Sequence, residues 1–291
     1  MPLAAFRLQG RDITPLESDA TSPDELTRRL PRGLYTTFST NHNGTRVLGL
    51  AAHLDRLYVP ALDVNPSASR ADLRLALAKL ALDSAPGESR FRLLLSATDG
   101  MVVVIVQPFT PLPRDIYEHG VNVVTADLVR HDPRRKDSGF ITESQSARMK
   151  VGGDVFEVLL TRGGKIYEGM TSNFYVVLPP VPQDSSCVSG AGQNKFCGTL
   201  VTARTGILLG VTRRAVLRLA RGEGMDILYR APRLDENLAE AFLTSSSRGV
   251  VPIISIDGSG VGEGTVGVWT KRLINAYQAY VEERSESLIG D

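Results

Sequence analysis

The sequence predicts a mixed α/β chain with two domains, on three observations. SRFRLLLSATDGMVVVIVQPF is two alternating apolar runs joined through Asp99-Gly100, the strongest short-range hairpin signal. Residues 69–85, SRADLRLALAKLALDSA, place Leu73, Leu77 and Leu80 on one helical face, a pattern that needs a core to pack against. QPFTPLPRD, residues 107–115, is punctuated by prolines and sets a domain boundary, dividing the chain into 1–114 and 115–291. Hairpins interleaved with single helices argue for a mixed sheet arrangement and against a doubly wound parallel sheet.

The elements follow in order. Ser22-Pro23-Asp24-Glu25 reads as an N-cap, a first-position proline and an acidic first turn opening a short helix. GLYTTFSTNHNGTRVLGL alternates across Asn-His-Asn-Gly as a hairpin would. AHLDRLYVPAL is helical as far as Pro60. Beyond the boundary come a strand in VNVVTADLV, a helix after Lys136, paired strands in VFEVLLT and KIYEGMTSNFYVVL, and a strand in GTLVTA. LLGVTRRAVLRLA opens a helix; MDILYR, EAFLTSS and VVPIISIDG are strands; GVWTKRLINAYQAYVEERSESL is a terminal helix.

Composition narrows the function. With 291 residues, 42% of them hydrophobic, the chain is long enough for a sizeable core. Thirty-three Lys plus Arg against thirty-two Asp plus Glu leave no global field to draw in nucleic acid or a membrane surface, so a charged partner must be met by a local pocket. No apolar run approaches the roughly 20 residues of a membrane span, and MPLAAFRLQGRDI lacks the basic start of a signal peptide, so a cytoplasmic protein is expected. The two cysteines, Cys187 and Cys197, are too few for a four-ligand zinc site, so no metal is expected; their polar segment reads as an inserted surface loop.

Three segments look suited to an anion. Gly210 and Val211 lead into Thr212 at a helix start, where free N–H groups point outward. Ser245, Ser246 and Ser247 end an apolar strand with hydroxyls and amides, and Arg56 of HLDRL lies on a helix face. Taken singly, these are an ordinary capped helix, a polar turn and a solvated arginine. Lys136, after Pro133-Arg134-Arg135, and Lys150 in RMKVGG are two candidates for a reactive amine. Glu168 stands between the strand-like runs KIY and NFYVVL, beside Gly169. An amine, an acid in a corner between strands and donors for an anion together suggest pyridoxal 5'-phosphate. That cofactor needs an amine for its aldehyde, a carboxylate for its ring nitrogen and ligands for its phosphate. On this reading Gly169 lets the backbone pass close to the ring.

In order, GLYTTFST, AHLDRL, EGMTSNFYVV, LLGVTRRAV and EAFLTSSSRGVVPI make the chain resemble the class IV, or fold type IV, pyridoxal-phosphate enzymes, a family of branched-chain and D-amino-acid aminotransferases and aminodeoxychorismate lyases. EGMTSNFYVV is similar to the family's Glu-Gly-x-x-Ser-Asn signature and is the most specific element. The resemblance implies a smaller N-terminal α/β domain, a larger C-terminal domain with a mixed, barrel-like sheet, and a homodimer. It implies that Glu168 partners the ring nitrogen and that Arg56, Val211, Thr212 and Ser246 hold the phosphate. The family's Schiff-base lysine precedes its signature glutamate by a little over thirty residues; Lys136 precedes Glu168 by 32 and Lys150 by 18, which selects Lys136 as Schiff base and general acid/base.

Specificity motifs depart from the family. The tyrosine that many branched-chain enzymes carry after the lysine is replaced here by Gly139-Phe140-Ile141, and their Tyr-x-Arg strand by Arg90-Phe91-Arg92. The D-amino-acid enzymes' Thr-Arg-Gly turn is Ala-Thr-Asp-Gly here. Period-two alternation puts Arg90 and Arg92 on one face, where Arg92 is expected to take a substrate carboxylate and Arg90 a second acidic group or solvent. Tyr35 is expected nearby. The activity implied is transfer of an amino group between a small amino donor and a 2-keto acid, with an aminodeoxychorismate-lyase-type release of pyruvate as the alternative and a non-catalytic binding module as a further one.

Overall fold

A computed structural model gives the fold and describes residues 3–61, 63–179 and 198–289; the segment holding Cys187 and Cys197 lies outside the described residues. Two compact units make up the chain. The first holds Met1–Leu112, Asp132–Gln145 and Tyr280–Asp291, and the second holds Pro113–His131 and Ser146–Ala279.

The first unit begins with β1 (Ala4–Gln9) and β2 (Asp12–Pro15), neither of which the sequence patterns announced. Helix α1 (Pro23–Arg29) starts where expected, with Ser22 Oγ accepting from the Glu25 N–H at 3.2 Å. Next come β3 (Gly33–Ser39), β4 (Arg46–Leu48), α2 (Leu50–Tyr58), α3 (Arg70–Leu82), β5 (Ser89–Ser96) and β6 (Val102–Pro108). The strands form an antiparallel sheet in the order β2-β1-β6-β5-β3. The Asp99-Gly100 hairpin is present as β5–β6, with Leu95 opposite Val102. Ser69 and Asp72 cap α3 reciprocally, and Leu73, Leu77 and Leu80 pack with Phe38, Phe91 and Leu93 on one face of the sheet. Tyr35, Leu94, Val103 and Ile141 occupy the other face.

The expected hairpin of β3 with β4 is corrected. The Asn-His-Asn-Gly turn is there, with His42 and Asn43 at φ of 53° and 57°, and it closes a bridge between Asn41 and Arg46. Yet β3 pairs with β5, while β4 pairs with the late strand β16 (Ser285–Ser287). Pairing the apolar length of β3 with that of β5 covers more core surface than a three-residue partner offers.

The first unit runs unbroken to Leu112, and two later segments return to it. After α4 (Arg114–His119) and β7 (Val121–Asp127), residues 136–138 line the free edge of β3. Tyr35 N–H donates to the Lys136 carbonyl at 2.9 Å and Ser138 N–H to the Gly33 carbonyl at 2.8 Å, which satisfies an edge that would otherwise be open. Short helices α5 (Gly139–Glu143) and α6 (Gln145–Arg148) follow.

The second unit is a closed mixed barrel. Its strands are β7, β8 (Val155–Arg162), β9 (Lys165–Gly169), β10 (Asn173–Leu178), β11 (Thr199–Thr202), β12 (Asp226–Tyr229), β13 (Glu240–Ser245) and β14 (Gly249–Ile256), with β15 (Ser259–Gly260) pairing β14. The sheet runs β12-β11-β10-β13-β14-β7-β8-β9, and β9 returns to β10 through the pair Glu168–Asn173. The ring is therefore sealed at the signature residues. Helix α7 (Val211–Gly222) precedes β12, and α8 (Val268–Arg284) runs from the second unit into the first. Tyr175 and Phe242 stack in the core with centroids 4.7 Å apart.

Leu77 is fully buried in the core of the first unit. Leu77→Ala is expected to cost about 2–5 kcal/mol of unfolding free energy in urea titration, and a loss below 1 kcal/mol would mean that α3 does not pack as described.

Candidate active site

The signature EGMTSNFYVV is a set of anchor points, each with its own partner in the second unit. Glu168 is only 2% exposed, and its Oε1 accepts from Arg130 Nε at 3.0 Å while its Oε2 accepts from the Leu208 N–H at 2.8 Å. Arg130 also donates to the Met170 carbonyl. Arg130 Nε and the Leu208 N–H are donors, so the buried carboxylate is paired, as a charge out of water must be. Asn173 then fixes the 208–210 turn from both sides: its Nδ2 donates to the Leu208 carbonyl at 2.7 Å and its Oδ1 accepts from the Gly210 N–H at 3.1 Å. A Cβ on Gly210 would lie 2.3 Å from that same Oδ1, so glycine is required there.

This clamp aims the start of α7. Gly210 is the N-cap and supplies no side chain, so the first helical N–H groups carry no side-chain cap. Thr212 is buried and its hydroxyl lies 3.4 Å from that of Ser246, half-buried after β13. Three of the expected phosphate ligands, Val211, Thr212 and Ser246, are thus brought to one end of the barrel. Arg213 secures α7 to the barrel through Thr202 Oγ1 and the Ala203 carbonyl, at 2.8 and 2.7 Å.

Gly169 is also required by its own turn: a Cβ there would fall 2.1 Å from Ser172 Oγ and 3.3 Å from Glu157 Cγ. Thr171 Oγ1 and Ser172 Oγ both donate to the buried carboxylate of Glu157, at 2.6 and 3.4 Å.

Lys136 belongs to the first unit. Its neighbour Asp137 is held by Arg32 Nε at 2.8 Å and accepts from the Gly139 N–H at 2.6 Å, and Ser138 Oγ accepts from the Gly33 N–H. The flanking backbone is therefore fixed on the edge of β3. Lys136 is half-buried, with Nζ 4.8 Å from the centre of the Tyr35 ring. Lys150 instead is exposed in the second unit and donates to the Thr125 carbonyl. Arg56 is half-buried on α2, one turn beyond His53. His53 is completely buried, with Thr36 Oγ1 2.7 Å from Nδ1 and no partner on Nε2 among the described residues. Burial holds its pKa well below the usual histidine value, reinforced by the charges of Arg56 and Lys136.

The two strand arginines share a face as expected but differ in company. Arg92 is committed to Asp24 at 2.6 Å and to Thr27, and lies 5.1 Å from the centre of the Tyr35 ring. The carboxylate it meets is the protein's own. Arg90 lies over the Phe109 ring at 4.6 Å. The sequence did not single out Arg130, Asn173, Glu157, Arg248 or His53; Asn173, Arg248 and His53 stood inside the quoted motifs, whereas Arg130 and Glu157 stood in none. Among the described residues no cluster of three metal-binding side chains occurs, and no helix is long and apolar enough to cross a membrane.

Residues 33–256 match the amino-transferase class IV family, and the chain belongs to it. It is 33% identical over 171 residues to a D-alanine aminotransferase of Bacillus licheniformis, covering 57% of this chain and 54% of that protein. It is 26% identical over 176 residues to a D-alanine aminotransferase of Staphylococcus haemolyticus, covering 60% and 57%. The chain thus spans little more than half the length of these curated relatives. In fold it is similar to a T.th. branched-chain amino acid aminotransferase solved with pyridoxamine 5'-phosphate, with a TM-score of 0.77, 19% identity and 98% of both chains covered. It is also similar to a hypothetical aminotransferase from Mycobacterium tuberculosis in a PLP-bound form, with a TM-score of 0.69, 20% identity, and 96% of this chain and 100% of that one covered. These likenesses establish fold type IV.

Two outcomes test the local account. Gly169→Ala is expected to destabilise by about 1–3 kcal/mol, with Ser172→Ala restoring most of the loss, because the clash is with that hydroxyl; equal losses in single and double variants would contradict it. For His53, the unfolded state gains a proton below pH ~6.5 while the folded imidazole stays neutral, so stability falls as pH falls. Between pH 7.5 and 5.5 the wild type should lose about 1.4 kcal/mol more than His53→Gln in urea unfolding; parallel pH profiles would refute the neutral buried histidine.

Proposed function

We propose that the protein is a pyridoxal-phosphate-dependent aminotransferase, moving an amino group between an amino acid or amine and a 2-keto acid. The observation that carries this reading is Glu168: a buried carboxylate held by Arg130 and the Leu208 N–H, in the same unit as the hydroxyls of Thr212 and Ser246 at an α7 start with no side-chain cap. The donor set fits the cofactor's chemistry. A carboxylate suits a ring nitrogen, hydroxyls and helix N–H groups suit a phosphate, and a half-buried amine suits an aldehyde. Membership of the class IV family and the names of the relatives support the same reading, and favour transfer over the lyase alternative.

When bound, pyridoxal phosphate supplies an electron sink for the electrons left at the substrate's Cα once its proton is removed. Lys136 would hold the cofactor's aldehyde carbon through its amine and, when free, would take up and return the proton of the substrate Cα. Its backbone, pinned through Asp137 and Ser138, limits the amine's excursions, and Tyr35 offers a ring face beside Nζ. Glu168 holds the positive charge at the ring nitrogen, where losing it would raise the barrier to proton removal. Val211 and Thr212 with Ser246 and Arg56 hold the phosphate. The Arg90–Arg92 face receives the substrate; a carboxylate reaching Arg92 must replace Asp24, so Asp24 enters into specificity. We take the enzyme to be a cytoplasmic homodimer, the assembly that the class IV resemblance implies.

Borohydride reduction of the protein with pyridoxal phosphate should leave the added mass on the Lys136 peptide, and label on the Lys150 peptide would move the anchor. D- and L-amino donors assayed with pyruvate and 2-oxoglutarate should give ping-pong transfer; pyruvate released with no acceptor present would overturn it in favour of the lyase.

A further inference from the structure

Glu157 poses a question that the proposed chemistry does not use. It sits in the middle of β8, VFEVLLTR, among buried apolar neighbours and is 2% exposed, where an apolar side chain would fill the core without a charge to compensate. Its Oε2 instead gathers three side-chain donors: Arg248 Nη2 at 2.8 Å, Thr171 Oγ1 at 2.6 Å and Ser172 Oγ at 3.4 Å. Arg248 spreads the connection further. The same Nη2 reaches Thr171 Oγ1 at 2.6 Å, Nε donates to Ser245 Oγ at 3.1 Å, the guanidinium lies over the Phe156 ring at 5.2 Å, and the Arg248 carbonyl accepts from Tyr117 OH at 2.8 Å. The Arg248 N–H closes the 245–248 turn on the Ser245 carbonyl.

One ion pair therefore joins the turn directly after Glu168 and Gly169 to the turn that presents Ser246. We propose that Arg248, held by Glu157, is a positioning residue that sets the Ser246 hydroxyl beside Thr212 for the cofactor's phosphate. This rests on the reading that Thr212 and Ser246 are phosphate ligands. Arg248 does not touch the phosphate. Its planar fork makes the link directional, satisfying Glu157, Thr171 and Ser245 in one geometry that a lysine ammonium does not reproduce.

The test compares apoprotein affinity for pyridoxal 5'-phosphate with that for pyridoxal, which lacks the phosphate, by absorption titration. The wild type should strongly prefer the phosphorylated ligand. Arg248→Lys should shrink that preference about tenfold, chiefly by weakening pyridoxal 5'-phosphate, and Thr171→Val about threefold. An unchanged ratio, or an equal loss for both ligands, would show that the pair is merely structural and overturn the proposal. Should Arg248→Lys fail to fold, Thr171→Val decides by the same criterion, since it removes one hydroxyl and no charge. A wild type that binds neither ligand would instead remove the cofactor reading itself, a different failure.

Discussion

A carboxylate taken out of water is the constraint on which the second unit is organised. Glu168 sits at the pair that closes the barrel, and Arg130 and the Leu208 amide both reach its carboxylate there. Leu208 is in place because Asn173 grips its carbonyl, and the same Asn173 holds Gly210 at the start of α7. The acid, the asparagine and the helix start form one mechanical chain. A signature that reads as a string of ten residues is, physically, a seam whose side chains each reach a different element.

Lys136 belongs to the first unit and Glu168 to the second. Lys136 lies on the edge of the first sheet because residues 136–138 satisfy the open side of β3, and the ion pair of Arg32 with Asp137 pins that segment beside it. The second unit holds Glu168, the hydroxyls of Thr212 and Ser246 and the start of α7. Each unit also buries polar groups that core packing alone does not need: Arg130 and Glu157 in the second, and the neutral His53 in the first.

What the sequence made legible was short-range. The α3 leucines, the Ser22 and Ser69 caps, the Asp99-Gly100 hairpin and the Glu168 motif all lie within windows where periodicity or turn chemistry acts. The contacts that give the site its form do not. Arg130 meets Glu168 across 38 residues and Leu208 meets it across 40, while β4 finds β16 at the far end of the chain. No local period marks an arginine six places before the lysine as the partner of an acid. Gly169 shows the same limit: the glycine was readable, but the close approach of Ser172 Oγ that a Cβ would meet was not, because a missing Cβ records that space is taken without recording by what. Arg92 was correctly placed on its face, yet Asp24, in a helix far earlier in the chain, already neutralises it.

The central claim is that Glu168 holds a protonated ring nitrogen. Nitrogen-15 NMR of pyridoxal 5'-phosphate labelled at the ring nitrogen and bound to the wild type tests it most directly. A shift of the protonated pyridinium type near neutral pH, converted to the unprotonated type in Glu168→Gln, is the result this structure predicts. An unprotonated signal in the wild type, or one that Glu168→Gln leaves unmoved, would contradict it.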